Sequence, residues 1–295
     1  MSGAYAAPDF FMINTLAITL GYRCNFNCAH CIAGDKREMG LTAAEISLAV
    51  AAVREHRIKH VLFIGGEPTL YLDEMRDIIS RLSGLGVEYR MTTNGHFAST
   101  IEAAQEILSS IPELAVVNIS CDKQHEKFLP ESHMRNLYAA CKKMGIAFRA
   151  ILSLSSPMDL VLLKKLKALG DFPVLPQKML PMGSAKKNQL GYSHPSFDEG
   201  VWRKICPNRG IIVYMCGQGF TTCCAAPAFY SKSGRIVHPT LGGHMASEFY
   251  GLVSNFNLGG IAERLGLTGI ETAPEDSSPC VLCEKLFKRK YGDDL

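Results

Sequence analysis

The stretch that decides the fold is Thr15-Leu-Ala-Ile-Thr-Leu20 followed by Gly-Tyr-Arg and then Cys24-Asn-Phe-Asn-Cys28-Ala-His30-Cys31. An apolar, β-rich run leads straight into a loop with thiols spaced C-x3-C-x2-C. Such spacing wraps a loop around one face of a metal cluster. Three thiolates bound to a [4Fe–4S] cluster leave one of its four irons open to an outside ligand. A structural zinc takes four protein ligands, and His30 could in principle serve as the fourth. The remaining reading, three inert buried thiols, explains nothing about the spacing. The iron–sulfur reading is therefore preferred.

Outward from this loop, β-rich and helical patterns alternate. Strands are expected at Thr15–Leu20, His60–Ile64, Val87–Thr92, Ala115–Ser120, Ile146–Leu152 and Phe172–Leu180. After the first, they begin roughly every thirty residues, the rhythm of repeated βα units. Thr42-Ala-Ala-Glu45 is a capping box, with Leu41 and Ile46 placed to form its hydrophobic staple. Met75, Ile78, Ile79 and Leu82 recur at helical spacing, as do Met134, Leu137, Tyr138, Cys141 and Met144. Ser156-Pro157 opens a further helix that Gly170 ends. Six such units are too few for a closed eight-stranded barrel and suffice for an open one. The expectation is an α/β chain: a partial (β/α)6 TIM-like barrel over residues 1–184 and a small α+β module over 185–295. In the second part glycine and proline punctuate the chain, and a helix near Ser254–Leu265 is the only clear element.

Composition bounds the rest. The 295 residues include 31 basic and 28 acidic side chains, a net charge of +3 that implies no general affinity for nucleic acid. No apolar run spans a bilayer, and the first residues lack the basic region of a secretory signal, so a cytoplasmic protein is expected. Eleven cysteines are then too many for packing alone, and in a reducing compartment they point to metal or redox chemistry.

The cysteine loop, with His30 before its last thiol, resembles the radical S-adenosylmethionine (SAM) enzyme superfamily. Gly65-Gly66-Glu67-Pro68 after the second strand resembles that family's GGEP motif, which binds the methionine amino group. Thr93-Asn94-Gly95 after the third resembles its TNG turn, although a bare Asn-Gly turn reads the same. Ser120-Cys121-Asp122 resembles the S-x-D element at the ribose, and Met182 is placed near the adenine. Arg149 is a candidate to hold the cofactor carboxylate or the substrate, and His125 to contact substrate; the strand carrying Arg149 is apolar on both parities, so its direction is not read. The resemblance implies that Cys24, Cys28 and Cys31 hold a [4Fe–4S] cluster. It also implies reductive cleavage of SAM to a 5′-deoxyadenosyl radical that abstracts a hydrogen atom, and a flavodoxin or ferredoxin as electron donor.

Cys206-x12-Gly219-x4-Cys224, followed later by Cys280-x2-Cys283, is similar to the auxiliary-cluster module called twitch, a reduced SPASM domain. That likeness implies a second [4Fe–4S] cluster on Cys206, Cys224, Cys280 and Cys283. A zinc ribbon and a cluster with an open, substrate-binding iron are the alternatives. No cysteine follows Cys283, so one auxiliary cluster is expected. Cys141 reads as core and Cys121 as facing the helices, while Cys216 is either ligand or filler. Strand alternation would point Cys223 away from Cys224, where it is either a small buried residue or a hydrogen-atom donor. By resemblance, the expected reaction is oxidation of a small polar, aminocyclitol-like substrate. Modification of a ribosomally made peptide, by epimerisation or cross-linking, is the second expectation, weakened because the loop starts too early for an upstream peptide-recognition domain. A non-catalytic iron–sulfur or zinc protein is the third.

Overall fold

The computed structural model describes residues 13–34, 38–230 and 233–292; the first residues, read above for a secretion signal, lie largely outside this range. Six strands follow the expected order: β1 (Thr15–Thr19), β2 (His60–Ile64), β3 (Glu88–Thr93), β4 (Leu114–Cys121), β5 (Ala147–Leu154) and β6 (Val174–Lys178). Between them run α1 (Ala43–Glu55), α2 (Leu72–Leu82), α3 (Ile101–Ser109), α4 (Glu131–Met144) and α5 (Val161–Leu169). All neighbouring pairs from β1 to β6 are parallel. Thr42 caps α1 in the expected box, and Gly145 ends α4 at φ 70°, a left-handed conformation that costs glycine little.

The later part of the chain extends this sheet. After the one-turn α6 (Ser184–Lys187), β7 (Ile211–Met215) runs parallel to β1, and β8 (Gly219–Thr221) pairs antiparallel with β7. The sheet has eight strands in the order β6-β5-β4-β3-β2-β1-β7-β8. Short helices α7 (Ala226–Tyr230) and α8 (Leu241–Met245) follow. The single helix expected near Ser254–Leu265 is two, α9 (Glu248–Asn255) and α10 (Leu258–Arg264). Phe256 is extended between them, and the Asn257 side chain accepts from Gly260 N, restarting the helix. The chain closes with α11 (Pro279–Tyr291), whose Pro279 sits in the first turn, where no backbone donor is needed.

The two faces of the sheet differ. Val61, Phe63, Tyr89, Met91, Val117, Ile119, Ala150 and Leu152 form one core with Met75, Ile78, Leu108, Leu137 and other residues of α1–α5. On the inner face, Ala17, Val213 and Met215 join a second core with Phe249, Val253, Ile261, Leu282, Leu286 and Phe287. The C-terminal helices thus cover the inner face at β7, β1 and β2. Farther along, Thr92, Asn118 and Arg149 are register partners across β3, β4 and β5 and so share that inner face. Thr92, Ser120, Arg149, Ile151 and Ser153 remain only half-buried there. This polar strip is the open part of the barrel interior.

Candidate active site

The Cys24–Cys31 loop leaves the end of β1 without regular structure, and its three cysteines are all half-exposed. Phe26 anchors it from below, 2% exposed, stacked on Phe128 at 5.3 Å and edge-on to His96 at 5.7 Å. The glycines of the Gly-Gly-Glu-Pro turn are needed because the loop's backbone crosses them. Gly66 N donates to Gly21 O at 2.9 Å, and Glu67 N to Arg23 O at 2.8 Å. A Cβ on Gly66 would stand 2.0 Å from Arg23 O, and Gly65 holds φ +153° against Gly21. Tyr71, unremarked in the sequence, donates its hydroxyl to Met39 O and accepts from Arg23 N at 2.8 Å, pinning the loop entrance.

Glu67 is fully buried and its carboxylate joins three elements. Oε1 accepts from Thr69 N, from the Thr69 hydroxyl at 2.8 Å and from the Thr93 hydroxyl at 2.6 Å, while Oε2 accepts from Asn94 N at 2.8 Å. Burial pushes its pKa up, and these donors work against that shift. Pro68 starts the short 3-10 turn that carries Thr69. Asn94 reaches further. Its Nδ2 donates to Asn25 Oδ1 at 2.7 Å and toward Cys24 Sγ at 3.7 Å, so the Thr-Asn-Gly turn does more than reverse the chain. The residues after β2 and β3 therefore converge on the cysteine loop.

Asp122, at the end of β4 and 2% exposed, binds two histidines. Its Oδ2 lies 2.8 Å from His125 Nδ1 and 3.2 Å from His30 Nε2, and Oδ1 accepts from the backbone of Gln124 and His125. Burial opposes ionisation, but the hydrogen bonds from His125 and His30 outweigh it and hold the carboxyl well below the usual range. With both oxygens occupied inside the protein, Asp122 orients His30 and His125. The buried Nδ1 of His30 has no hydrogen-bond partner, an orphaned polar atom beside the cysteine loop. Ser120 stands half-buried on the open inner face. Arg149 shares that face, and its charge, after those of Arg90 and His60, helps hold Glu88 below the usual carboxylate range. Its direction was unreadable from an apolar strand and is fixed by register.

Residues 182–188 clasp the loop from the other side. Ser184 N donates to Cys31 O at 2.9 Å and Asn188 Nδ2 to Ala29 O at 2.8 Å. Met182 is buried against Ala225, with Ile32, Cys223 and Cys280 packed on the pair. Sequence reasoning missed these contacts because their partners are backbone carbonyls, which leave no mark in a motif.

Cys206, Cys223, Cys224, Cys280 and Cys283 line one cavity beside Phe249. Alternation along a strand would turn Cys223 away, but β8 ends at Thr221 and Cys223 N donates back to Thr221 Oγ1 at 2.9 Å. The segment turns there, so period two no longer applies. Cys216 is not in this cavity: it is 1% exposed in the first core, burial pushes its thiol to about 12, and its carbonyl accepts from Tyr22 OH. Cys121 and Cys141 are core residues as well. None of the eleven cysteines forms a disulfide. Among the described residues, the one group of His, Cys, Asp and Glu whose ligand atoms all fall within 4.8 Å is His30, Asp122 and His125.

The sequence profile of the Radical SAM superfamily matches residues 18–170. The chain belongs to this superfamily. Probable GTP 3',8-cyclase of Sulfurisphaera tokodaii is 40% identical over 92 residues, 30% of this chain and 29% of that protein. The enzyme of the same name from Sulfolobus acidocaldarius is 40% identical over 87 residues, 28% of each chain. The match thus spans under a third of these relatives' length. Streptococcus suis SuiB bound to its precursor peptide SuiA shares the fold, at a TM-score of 0.50 and 14% identity over 82% of this chain and 67% of that one. A radical SAM enzyme takes SAM and a [4Fe–4S] cluster. The residues present fit them: three adjacent half-exposed thiols, glycines that admit a close backbone, and an orphaned histidine nitrogen alongside. No helix among the described residues is long and apolar enough to cross a membrane.

Proposed function

We propose that this radical SAM enzyme oxidises a small polar substrate, of sugar or aminocyclitol type, and returns the electron through a second [4Fe–4S] cluster in its C-terminal region. The observation that carries the reading is the cavity lined by five cysteines, joined to the first cysteine loop through Met182 and Ser184. When bound, SAM and the two clusters supply one-electron chemistry, a reductive cleavage that yields a hydrogen-abstracting species and an acceptor for the electron left on the substrate.

The chain's own residues do the rest. Cys24, Cys28 and Cys31 hold the first cluster on a loop that Gly65, Gly66 and Tyr71 fix to the barrel rim. Glu67 locks the turns after β2 and β3 together, so the exposed backbone of Gly65-Gly66 and the Asn94 side chain meet the cofactor in one geometry. Asp122 holds His30 through Nε2, which leaves the buried Nδ1 as the ring's remaining polar atom. The half-buried strip of Thr92, Ser120, Arg149 and Ser153 offers hydroxyl groups and one cation to a polar substrate. A site of that kind selects hydroxylated molecules through hydrogen bonds. The name of the Sulfurisphaera relative describes a nucleotide substrate, but a match over 30% of this chain supports shared radical chemistry rather than a shared substrate.

The test is anaerobic incubation of reconstituted protein with SAM and a strong reductant. Release of 5′-deoxyadenosine is expected, and a variant with Cys24, Cys28 and Cys31 all replaced by Ala should release none. With an aminocyclitol substrate, product two hydrogens lighter should appear in step with 5′-deoxyadenosine. A redox-neutral product, or a modified peptide with no turnover of small polyols, would contradict the reading.

A further inference from the structure

Five thiols surround a site where a cluster bonded wholly to protein needs four. Sequence pattern alone selects Cys224 as the partner of Cys206, because it completes the Gly-x4-Cys spacing. The geometry favours its neighbour.

Thr222, just before Cys223, is held from three directions. Its N–H donates to His244 Nε2 at 2.8 Å, its hydroxyl lies 3.1 Å from the same nitrogen, and its carbonyl accepts from Asn208 Nδ2 at 2.6 Å. Asn208 is two residues beyond Cys206, so this bond ties the segments of Cys206 and Cys223 together. Cys280 and Cys283 sit near the start of α11 at i, i+3 spacing, which places them on one helix face. Cys223 packs against both the second core, with Cys206 and Cys283, and the buried Met182–Ala225 pair, with Cys280. Cys224 packs into neither cluster and is exposed.

We propose that the second cluster is capped by Cys206, Cys223, Cys280 and Cys283, one thiolate to each iron, with Cys224 left as a surplus thiol at the cavity rim. This inference rests on the second-cluster reading above. A cluster capped in this way has no iron open to substrate, so it exchanges electrons and does not bind the substrate directly.

The test is alkylation of the reconstituted, folded protein with N-ethylmaleimide under anaerobic conditions, mapped by peptide mass spectrometry beside an iron assay. At about 8 irons per chain, the content of two four-iron clusters, Cys224 should be modified and the other four protected. Modification of Cys223 with Cys224 protected would overturn the assignment. Modification of both, with Cys206, Cys280 and Cys283 protected, would mean a three-cysteine cluster with an open iron and would overturn it too. Modification of all five at about 4 irons per chain would remove the second cluster itself, and the assignment with it. In variants, Cys223→Ala should halve the iron content and Cys224→Ala should leave it unchanged; the reverse pattern would contradict the proposal.

Discussion

The proton on His244 is located by the chemistry of its partner. The Thr222 backbone N–H can only donate, so His244 Nε2 accepts, and the ring's proton lies on Nδ1, facing His238 Nδ1 at 3.3 Å. A second proton would remove the acceptor that holds the segment before Cys223. Burial, and then the nearby His238, lower the His244 pKa to about 3. An unfolded histidine titrates near 6.5, so below that pH the unfolded chain takes up a proton that the folded chain refuses. This contribution to stability is complete above pH 6.5 and drains away as pH falls toward 3. Between pH 7 and pH 5 the loss amounts to about 2 kcal/mol from this group. Urea denaturation at the two pH values should show it in the native chain, and His244→Gln should reduce the difference between them by that amount. An equal pH dependence in native and variant chains would exclude this role for His244.

At the scale of elements, Glu45 serves two at once. It completes the capping box of α1 with Thr42, and its Oε1 also accepts from Gly217 N at 2.6 Å and lies 3.4 Å from Tyr214 OH, at the β7–β8 turn. Glu45→Ala removes the box and strands a turn N–H, so it should cost about 2 kcal/mol in urea denaturation. A loss under about 0.5 kcal/mol, typical of an ordinary surface change, would mean that the turn is held by other contacts. Half of this role was legible: Thr42-Ala-Ala-Glu45 announces a helix start, but nothing local announces a partner in a hairpin far along the chain. The βα units were legible for the same local reason, with the fourth strand read as Ala115–Ser120 and found at Leu114–Cys121. Where local signals conflicted, the reading failed. In α11, Leu282, Leu286 and Phe287 recur at helical spacing, yet the basic run from Lys285 to Lys290 reads as a solvated face and hides them. At Cys223 alternation was extended past the end of its strand. At Asp122 the motif suggested a ribose contact, whereas the carboxylate is spent on His30 and His125.

For the whole molecule, one continuous sheet serves both cysteine sites. β7 and β8 extend the barrel sheet from β1, and the helices that follow cover its inner face on that side, leaving the polar strip of β3–β5 open. The segment 182–184 touches both sites, through Ser184 on Cys31 and Met182 on Ala225. A second core that buried only apolar side chains would need no such concentration of thiols as the five that line its cavity. The proposal made above is that two clusters share this fold. Its most direct measurement is the iron and labile sulfide content after anaerobic reconstitution, in the intact chain and in the Cys24/Cys28/Cys31→Ala triple variant. About 8 irons in the intact chain and about 4 in the variant are predicted. About 4 irons falling to none would contradict the second cluster and leave electron return through it without a carrier.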